Sequence, residues 1–417
     1  MFKKIDSFSR NIIIVFAGTA LLNFFNLACQ LLIAHRLDPV DFAAFNSLLA
    51  LYMIISSPFL TLQTGVTKYI SEFNAKGEAE KIKSFLSGML LRISLFAFLI
   101  LIIFYYVSPF IMVKMQIPGT LSMYILIGLI FFSCLSPVFS GAMQGLELFN
   151  QFAAVSVIGG VVKLVLLVLF IQAGYKISGA LGSFFISTAI ALAAYYLIMN
   201  KFIVLGVKKI ALDYKGFFFY LFPVAVSTLC YMTLVSSDMI MVKYYFSPGD
   251  AGIYSLAQMV GKIFLFLPGA ISIVMFPRIS GLHAKNMDTT VTLKKSLLYA
   301  AVLCVTAAVF YNIFPNFVLK ILTGKTGAGP VLLGRLFSFS MSLFALLYVY
   351  ISYFLSKKDM RFIGWLALFS VLQIGAINLF HRNLIQVQLA LSINAFLLLG
   401  IHLLLYCKNP PSAQTAA

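Results

Sequence analysis

The chain has 417 residues, of which 62% are hydrophobic and 10% are charged. Soluble domains are about half apolar and about a quarter charged, so this composition excludes a soluble globular protein and predicts one that is surrounded mostly by lipid. The formal net charge of +18 does not predict a nucleic-acid partner, because no soluble stretch carries a basic stripe with interleaved aromatic residues.

Twelve apolar stretches follow one another along the chain, and each is long enough to cross a bilayer as a helix of about 20 residues. The first follows the basic sequence "MFKKIDSFSR" and is too long for the apolar part of a signal peptide, so we expect it to remain as a span. The last two are separated by three residues, which leaves eleven or thirteen spans open. The predicted spans are 12–34, 42–66, 86–108, 118–142, 151–173, 179–200, 217–242, 251–276, 297–322, 331–355, 361–380 and 384–406.

The basic residues predict the orientation of these spans. With the N-terminus in the cytoplasm, 20 Lys and Arg residues fall on the cytoplasmic side and eight on the opposite side. This bias follows the positive-inside rule, places both termini in the cytoplasm and assigns most of the net charge to contacts with membrane lipids. No loop is long enough to fold as a catalytic domain, and the five cysteines have neither metal-site nor redox spacing. We therefore expect neither an enzyme nor a resident cofactor.

An internal repeat links the two halves of the chain. "DPVDFAAFNSL" (38–48) aligns with "SPGDAGIYSLA" (247–257) at a shift of 209 residues, and the same shift aligns "ISEFNAK" (70–76) with "ISGLHAK" (279–285). The shift equates the second span with the eighth, so the two halves share one orientation. It predicts an all-α membrane protein of two six-helix bundles, 1–205 and 206–417, with substrate bound near the midplane between them and alternating access by rocking.

Charged side chains interrupt several predicted spans. Lys163 lies in "GGVVKLVLLVLF" (159–170), Lys262 in the eighth span, Asp238 in the seventh and Arg92 near the start of the third. A charge at the bilayer centre costs about 2.5–3.5 kcal/mol on insertion scales, so such residues usually face a water-filled cavity or a partner. A buried pair of Lys163 with Asp238, or snorkelling, is the structural alternative.

A polar face accompanies these charges in the first span. Asn23, Asn26 and Gln30 are spaced i, i+3, i+7 and therefore lie on one side of a helix. They line a polar cavity or, alternatively, hydrogen-bond to a neighbouring helix. Because the deep cations outnumber the deep anion Asp238, a cavity lined by these residues is suited to an anionic cargo.

Small residues and prolines predict how the helices approach and bend. "GAMQG" (141–145) is a small-xxx-small motif, which permits two helices to come close together. Prolines inside spans remove a backbone hydrogen bond and kink the helix. They are Pro58, Pro137, Pro223, Pro268 and Pro315.

Three further segments carry a family resemblance: "GVTKYISEFNAKGEAEKIKSF" (65–85), "GAMQGLELFNQF" (141–152) and "AGIYSLAQMVGKIFLFLPGAISIVMFPRIS" (251–280). In this order, and with twelve spans, the chain resembles the polysaccharide transporter family of the multidrug and oligosaccharide-lipid exporter superfamily. Within that family it is most similar to the O-antigen repeat-unit flippases of lipopolysaccharide synthesis.

The resemblance implies a bacterial inner-membrane flippase that moves an undecaprenyl-diphosphate-linked oligosaccharide to the periplasmic leaflet. It implies that Lys163 and Lys262, with Arg92 and Arg278, meet the diphosphate or acidic sugars. Polysaccharide assembly proteins are the expected partners, and a coupling ion, H⁺ or Na⁺, is left open. The alternatives are an ion-coupled multidrug exporter, which we expect to carry a deep acid in its N-terminal half, and a membrane polymerase or ligase, which requires a large catalytic loop.

Overall fold

The computed structural model describes residues 7–203, 213–285 and 287–408, and within these ranges its secondary structure is helical, without β-strands. The helices are α1 (Ser7–Arg36), α2 (Pro39–Ala75), α3 (Ala79–Lys114), α4 (Thr120–Gly145), α5 (Phe149–Gln172), α6 (Lys176–Met199), α7 (Tyr214–Tyr245), α8 (Pro248–Ala284), α9 (Thr290–Ile313), α10 (Pro315–Thr323), α11 (Ala328–Ser356), α12 (Phe362–Leu379) and α13 (Leu384–Lys408).

Most of these helices qualify as membrane spans. Within the described ranges, eleven are long and apolar enough to cross a membrane, namely all except α8 and the short α10. Helix α8 has 37 residues and covers the predicted span 251–276, and the side chains of residues 266–268, 270, 273 and 277 lie outside the described part of the structure. The prediction of an all-α, multi-pass membrane protein is confirmed.

The ninth predicted span, 297–322, is divided in the structure. Helix α9 ends at Ile313, and α10 begins at Pro315 after a single non-helical residue, Phe314. Proline has no backbone N–H and cannot continue the hydrogen-bond ladder of a preceding helix, but it is well suited to the first turn of a new one. The expected kink at Pro315 is therefore a complete break. Pro58, Pro137 and Pro223 lie inside continuous helices.

The helix ends repeat at the predicted shift of 209 residues. Moving the two ends of α2, Pro39 and Ala75, by 209 positions gives Pro248 and Ala284, which are the two ends of α8. The same shift relates the C-terminal residues of α1 and α7, of α3 and α10, and of α6 and α13. The internal duplication is thus confirmed, and it extends from the 50 or so residues that show it in the sequence to both halves of the chain.

The repeat also preserves a helix cap. The Asp41 backbone N–H donates to the Asp38 carboxylate at 2.8 Å, and the Asp250 N–H donates to the Ser247 hydroxyl at 3.2 Å. Each cap satisfies an N–H group that has no partner within its helix, and each precedes a proline at the first helical position. The two copies therefore begin α2 and α8 by the same physical means.

Two compact units divide the chain. One consists of Met1–Leu37 and Tyr52–Ala225, and the other of Asp38–Leu51 and Val226–Ala417. Two helices contribute to both, since α2 changes unit after Leu51 and α7 after Ala225. The predicted domain boundary at 205/206 lies within 204–212, outside the described residues.

Glycine allows close contacts between helices at one position in each unit. In the first unit, a Cβ atom on Gly160 of α5 would lie 2.9 Å from the Phe25 side chain of α1. In the second, a Cβ atom on Gly252 of α8 would lie 3.0 Å from the Pro39 carbonyl carbon of α2. These distances are shorter than carbon–carbon contacts normally are. The absence of a side chain therefore brings α5 against α1 and α8 against α2.

The "GAMQG" motif has the role that its small residues predict. A Cβ atom on Gly141 would lie 2.5 Å from the Gln63 carbonyl oxygen of α2, and one on Gly145 would lie 2.8 Å from the Ile70 side chain. The Thr67 hydroxyl donates to the Gly141 carbonyl at 3.1 Å. Helices α2 and α4 therefore touch backbone to backbone, which confirms the prediction.

Candidate functional site

Lys163 lies inside the first unit with its side chain 9% exposed. Its ammonium donates a hydrogen bond to the Asn26 amide oxygen of α1 and lies 4.7 Å from the centre of the Phe184 ring of α6. Cys29 of α1 is also close enough to interact with it electrostatically. In the part of the chain that the structure describes, no carboxylate is among these partners. The positive charge of Lys163 is therefore solvated by an amide and an aromatic face but is not neutralised.

The polar face of α1 contacts the buried lysine of α5. Asn26 holds Lys163, which brings together two of the residues that the sequence predicts for the site. Asn23 and Asn26 are exposed, and Gln30 is half-buried. On this face, Asn26 thus contacts the buried cation, and Asn23 and Asn26 both have exposed side chains.

Asp238 belongs to a buried polar network in the second unit. Its carboxylate is completely buried and accepts hydrogen bonds from the Tyr254 hydroxyl at 2.9 Å and from the Gln258 amide at 3.1 Å. The Tyr254 hydroxyl also lies 3.2 Å from the Gln388 amide oxygen, and the Gln388 amide donates to the Ser340 hydroxyl at 3.0 Å. Asp238 therefore has neutral hydrogen-bond donors rather than the lysine pair considered from the sequence.

Lys262 lies on the same face of α8, four residues after Gln258. Its ammonium donates to the Asn46 amide oxygen of α2 at 3.0 Å, and the Asn46 amide donates to the Ser255 hydroxyl at 2.9 Å. Asp238 adds an electrostatic attraction. Lys262 therefore has a counter-charge in its own unit.

The two deep lysines consequently differ in their electrostatics, although the sequence treats them alike. Lys262 is hydrogen-bonded to Asn46 of α2, and Asp238 adds an electrostatic attraction. Lys163 has no carboxylate among its described partners, which are the Asn26 amide and the Phe184 ring.

The shallower cations occupy different surroundings. Arg92 is exposed, donates to the Gly88 carbonyl at 2.9 Å and lies over the Tyr214 ring with its guanidinium carbon 3.6 Å from the ring centre. Tyr214 in turn donates to the Ser84 carbonyl at 3.2 Å. This contact fixes the start of α7 on α3. Arg278 of α8 is exposed, and both residues remain predicted site residues.

Sequence reasoning did not find several side chains of the site. The spacing of Tyr254, Gln258 and Lys262 at i, i+4, i+8 is a signal that was available, because it places them on one face of α8. Asn46 could have been found from the repeat, since it is the counterpart of Ser255. Gln388 carries no such signal, because its contacts join α13 to α8 and α11, which are distant in the chain. Phe184 lies on the helix that follows Lys163, but one aromatic residue in an apolar span does not stand out from its neighbours.

Comparison with known proteins decides the family. A profile described as "Polysaccharide biosynthesis protein" matches residues 8–283. The chain belongs to this polysaccharide biosynthesis family. No curated protein matches it in sequence.

Solved structures show the same fold at low sequence identity. An inward-facing MATE-family multidrug resistance transporter of the MOP superfamily matches with a TM-score of 0.74 and 15% identity, over 95% of this chain and 96% of the other. The lipid II flippase MurJ in its inward closed conformation matches with a TM-score of 0.68 and 14% identity, over 95% and 88%. A MOP-superfamily transporter from Pyrococcus furiosus matches with a TM-score of 0.63 and 15% identity, over 95% and 93%. This polysaccharide biosynthesis family member therefore shares its fold with multidrug transporters and a lipid flippase.

Proposed function

We propose that the protein is a flippase that moves an undecaprenyl-diphosphate-linked oligosaccharide repeat unit, of the O-antigen type, across the bacterial inner membrane. Membership of the polysaccharide biosynthesis family supports the substrate class, and the fold shared with a lipid II flippase supports the reaction. The observation that carries the proposal is the buried, un-neutralised ammonium of Lys163.

The physical problem of this reaction is the transfer of a charged, hydrated headgroup through hydrocarbon. Moving an isolated charge from water into a medium of low dielectric constant costs tens of kcal/mol in the continuum limit. A buried ammonium that lacks a carboxylate partner can replace the water and counterions of a diphosphate. The exposed amides Asn23 and Asn26 offer hydrogen bonds to phosphate oxygens or sugar hydroxyls beside it. The polyprenyl chain remains in the lipid.

The proposal also covers the direction of transport, the conformational change and the partner enzymes. The positive-inside bias places both termini in the cytoplasm, so that the substrate enters from the cytoplasmic leaflet and leaves on the periplasmic side. The internal repeat supports alternating access by rocking of the two halves. The protein acts between the enzymes that build the lipid-linked unit and those that polymerise it, and H⁺ or Na⁺ is the coupling ion to be tested.

An ion-coupled multidrug exporter is the second candidate. The buried Asp238 with its hydroxyl and amide neighbours favours it, because a carboxylate in such a place can exchange a proton or bind a cation. In the described part of the first unit, the corresponding deep position on α1 is Cys29 rather than an acid. A cationic drug would also meet the positive charge of Lys163 in that unit, which favours an anionic substrate.

The deciding experiment is performed in the native host. The gene is deleted, and wild type, Lys163→Arg and Lys163→Ala are returned at matched protein levels while surface polysaccharide and lipid-linked repeat units are measured. We expect deletion to remove the surface glycan and to accumulate lipid-linked units facing the cytoplasm. We expect Arg, but not Ala, to restore export, because Arg keeps the positive charge.

Lys76→Ala provides the matched control, since it removes an exposed lysine that is paired with Glu72. This variant should export normally. Unchanged glycan after deletion would refute the flippase function, whereas full rescue by Lys163→Ala would leave the function standing and assign Lys163 to packing.

A further inference from the structure

Four buried polar side chains form a hydrogen-bonded chain across the second unit. It runs from Asp238 of α7 through Tyr254 of α8 and Gln388 of α13 to Ser340 of α11. The successive contacts measure 2.9, 3.2 and 3.0 Å between donor and acceptor atoms, and each of the four residues has a relative exposure of 0%. Because none of these groups reaches solvent, each contact requires a hydrogen atom from within the chain.

An ionised Asp238 leaves this chain one hydrogen atom short. The Gln388 amide nitrogen donates to Ser340, so the Gln388 oxygen faces Tyr254 and can only accept. An ionised carboxylate also only accepts. The single hydroxyl hydrogen of Tyr254 therefore has two acceptors, Asp238 and Gln388, and it can satisfy only one of them fully.

A proton on Asp238 supplies the missing hydrogen atom. The carboxyl O–H then donates to the Tyr254 oxygen, and the Tyr254 O–H donates to the Gln388 oxygen, without any movement of the heavy atoms. The second carboxyl oxygen, Oδ1, still accepts from the Gln258 amide at 3.2 Å. The proton also removes the negative charge from a completely buried group, and such a charge is costly to hold away from water.

Loss of the proton reverses the direction of the chain. The ionised carboxylate keeps the Tyr254 hydrogen, so the Gln388 amide must turn over and donate to the Tyr254 oxygen. The Ser340 hydroxyl, which donates to the Phe337 carbonyl at 3.4 Å, then donates to the Gln388 oxygen instead. Every contact is satisfied again in the opposite direction. The turn of Gln388 therefore transmits the protonation of α7 to α13 and α11, as a two-state element must.

One charged side chain and several neutral ones surround Asp238 in the described part of the second unit. On α8, Lys262 acts on it through its positive charge, and Tyr254 and Gln258 are hydrogen-bond partners. Gln388 of α13 is neutral, as is Gln373 of α12, which contacts the neighbouring Ser237 hydroxyl at 3.2 Å. A change of charge at this site is therefore a change at Asp238.

These neighbours are better suited to a proton than to a metal cation. The Tyr254 hydroxyl and the Gln258 amide both direct hydrogen atoms at the carboxylate. A metal cation such as Na⁺ binds through several oxygen atoms, so its entry requires these donors to turn away. A proton requires only the rearrangement within the chain.

We propose that Asp238 is the proton-binding site of the transporter, and that Gln388 transmits its protonation to α13 and α11 by turning over. The inference rests on the proposed function and deepens it, because it names H⁺ as the coupling ion. Since Asp238 is completely buried, its proton exchanges with water only when the second unit opens. This requirement ties proton uptake and release to the conformational cycle.

The first measurement detects the proton directly, by infrared spectroscopy of the purified full-length protein in nanodiscs. A protonated carboxylic acid has a C=O stretching band that a carboxylate lacks. We expect wild type to show this band at acidic pH and to lose it as the pH is raised. Asp238→Asn should lack the band at every pH. Tyr254→Phe should retain it at a shifted frequency, because the carboxyl group loses its hydrogen-bond partner on Oδ2.

Three infrared results would overturn the inference. One is a wild-type spectrum without any band that Asp238→Asn removes, and another is a band that persists at every pH at which the protein is folded, since that proton is purely structural. The third is loss of the band when K⁺ is replaced by Na⁺ at constant pH, which assigns the site to the metal cation. Asp250→Asn is the matched control, because Asp250 is an exposed acid on α8 and its removal should leave the band unchanged.

The second measurement tests whether Gln388 transmits the protonation. Flipping of lipid-linked oligosaccharide is followed in proteoliposomes with a gradient of about one pH unit, imposed in either direction. For one proton per cycle, we expect the wild-type rate to change by up to about tenfold between gradient and no gradient. Gln388→Leu should keep the infrared band of Asp238 but lose the response to the gradient. A full response in Gln388→Leu would overturn the role of Gln388.

The two measurements distinguish failure of this inference from failure of the proposed function. If wild type flips the oligosaccharide but neither the infrared band nor the gradient response is found, only this inference fails. If wild type does not flip lipid-linked oligosaccharide under any gradient, the proposed function fails, and the inference that H⁺ drives it fails with it.

Discussion

The Asn46 amide donates a hydrogen bond of 2.9 Å to the Ser255 hydroxyl, although 209 residues separate the two in the chain. That separation equals the shift of the internal repeat, so each residue contacts its own counterpart. Helices α2 and α8 therefore meet at corresponding points, and the Asn46 amide uses the same contact to hold Lys262.

Replacement of Asn46 by Ala should destabilise the protein more than replacement of Ser255 by Ala. Interhelical hydrogen bonds in membrane proteins contribute about 0.6 kcal/mol on average, and both variants lose this one. Asn46→Ala also deprives the Lys262 ammonium of its amide acceptor. We expect about 0.5 kcal/mol for Ser255→Ala and about 1–3 kcal/mol for Asn46→Ala, measured as the free energy of unfolding in mixed micelles.

Ser47→Ala serves as the control for this pair. Ser47 is equally buried, but its hydroxyl donates within its own helix to the Ala44 carbonyl at 2.8 Å. It should therefore lie within about 0.5 kcal/mol of wild type. Equal costs for Asn46→Ala and Ser255→Ala would mean that Asn46 does not support Lys262.

The sequence predicts the helices of this fold better than their contacts. Apolar length and proline positions give the spans, and the repeat gives the matched ends of α2 and α8, because these are local properties of the chain. The break before Pro315 was expected only as a kink, since the sequence does not show whether a helix resumes in the same direction.

The site shows the same limit. Lys163 and Asn26 were both predicted, but their contact depends on the close approach of α5 to α1 at Gly160. Lys262 and Lys163 look alike in sequence, and only the packed structure shows that their amide acceptors come from different helices, Asn46 of α2 and Asn26 of α1. Tyr254 is an aromatic residue in an apolar span and, without its buried neighbours, resembles any side chain that packs in a membrane helix.

A carboxylate placed beside Lys163 should abolish transport without removing the lysine. Asn26→Asp puts a negative charge on the atom position that now accepts the Lys163 hydrogen bond, so the ammonium becomes neutralised by an adjacent carboxylate. We expect the rate at which lipid-linked oligosaccharide is flipped across the proteoliposome membrane to fall about tenfold or more. A tenfold fall corresponds to an increase of about 1.4 kcal/mol in the activation free energy. Asn23→Asp adds the same charge to an exposed residue of the same face and should lower the rate less. Comparable losses in the two variants would argue against a specific role for Lys163.

Removal of the Asp238 carboxylate should cost more stability than removal of its charge. Asp238→Ala leaves the Tyr254 hydroxyl and the Gln258 amide without their acceptor in a buried site, at about 1–3 kcal/mol for each donor. Asp238→Asn keeps one oxygen acceptor and should cost about half as much. The free energy of unfolding measures both. If the Ala and Asn variants are equally stable, the network does not depend on Asp238 as an acceptor.

Gly141 should tolerate no side chain, because α2 and α4 touch through their backbones at this point. A Cβ atom would lie 2.5 Å from the Gln63 carbonyl oxygen, and a backbone atom cannot move aside without shifting its helix. We expect Gly141→Ala to destabilise the protein by about 1–3 kcal/mol, the usual cost of overpacking, despite the better helix propensity of alanine. Gly159→Ala is the matched control, because its Cβ atom would meet only the Ala191 methyl group at 3.9 Å. That distance is an ordinary contact, so Gly159→Ala should be neutral or slightly stabilising. A Gly141→Ala protein as stable as this control would show that α2 and α4 are further apart than described.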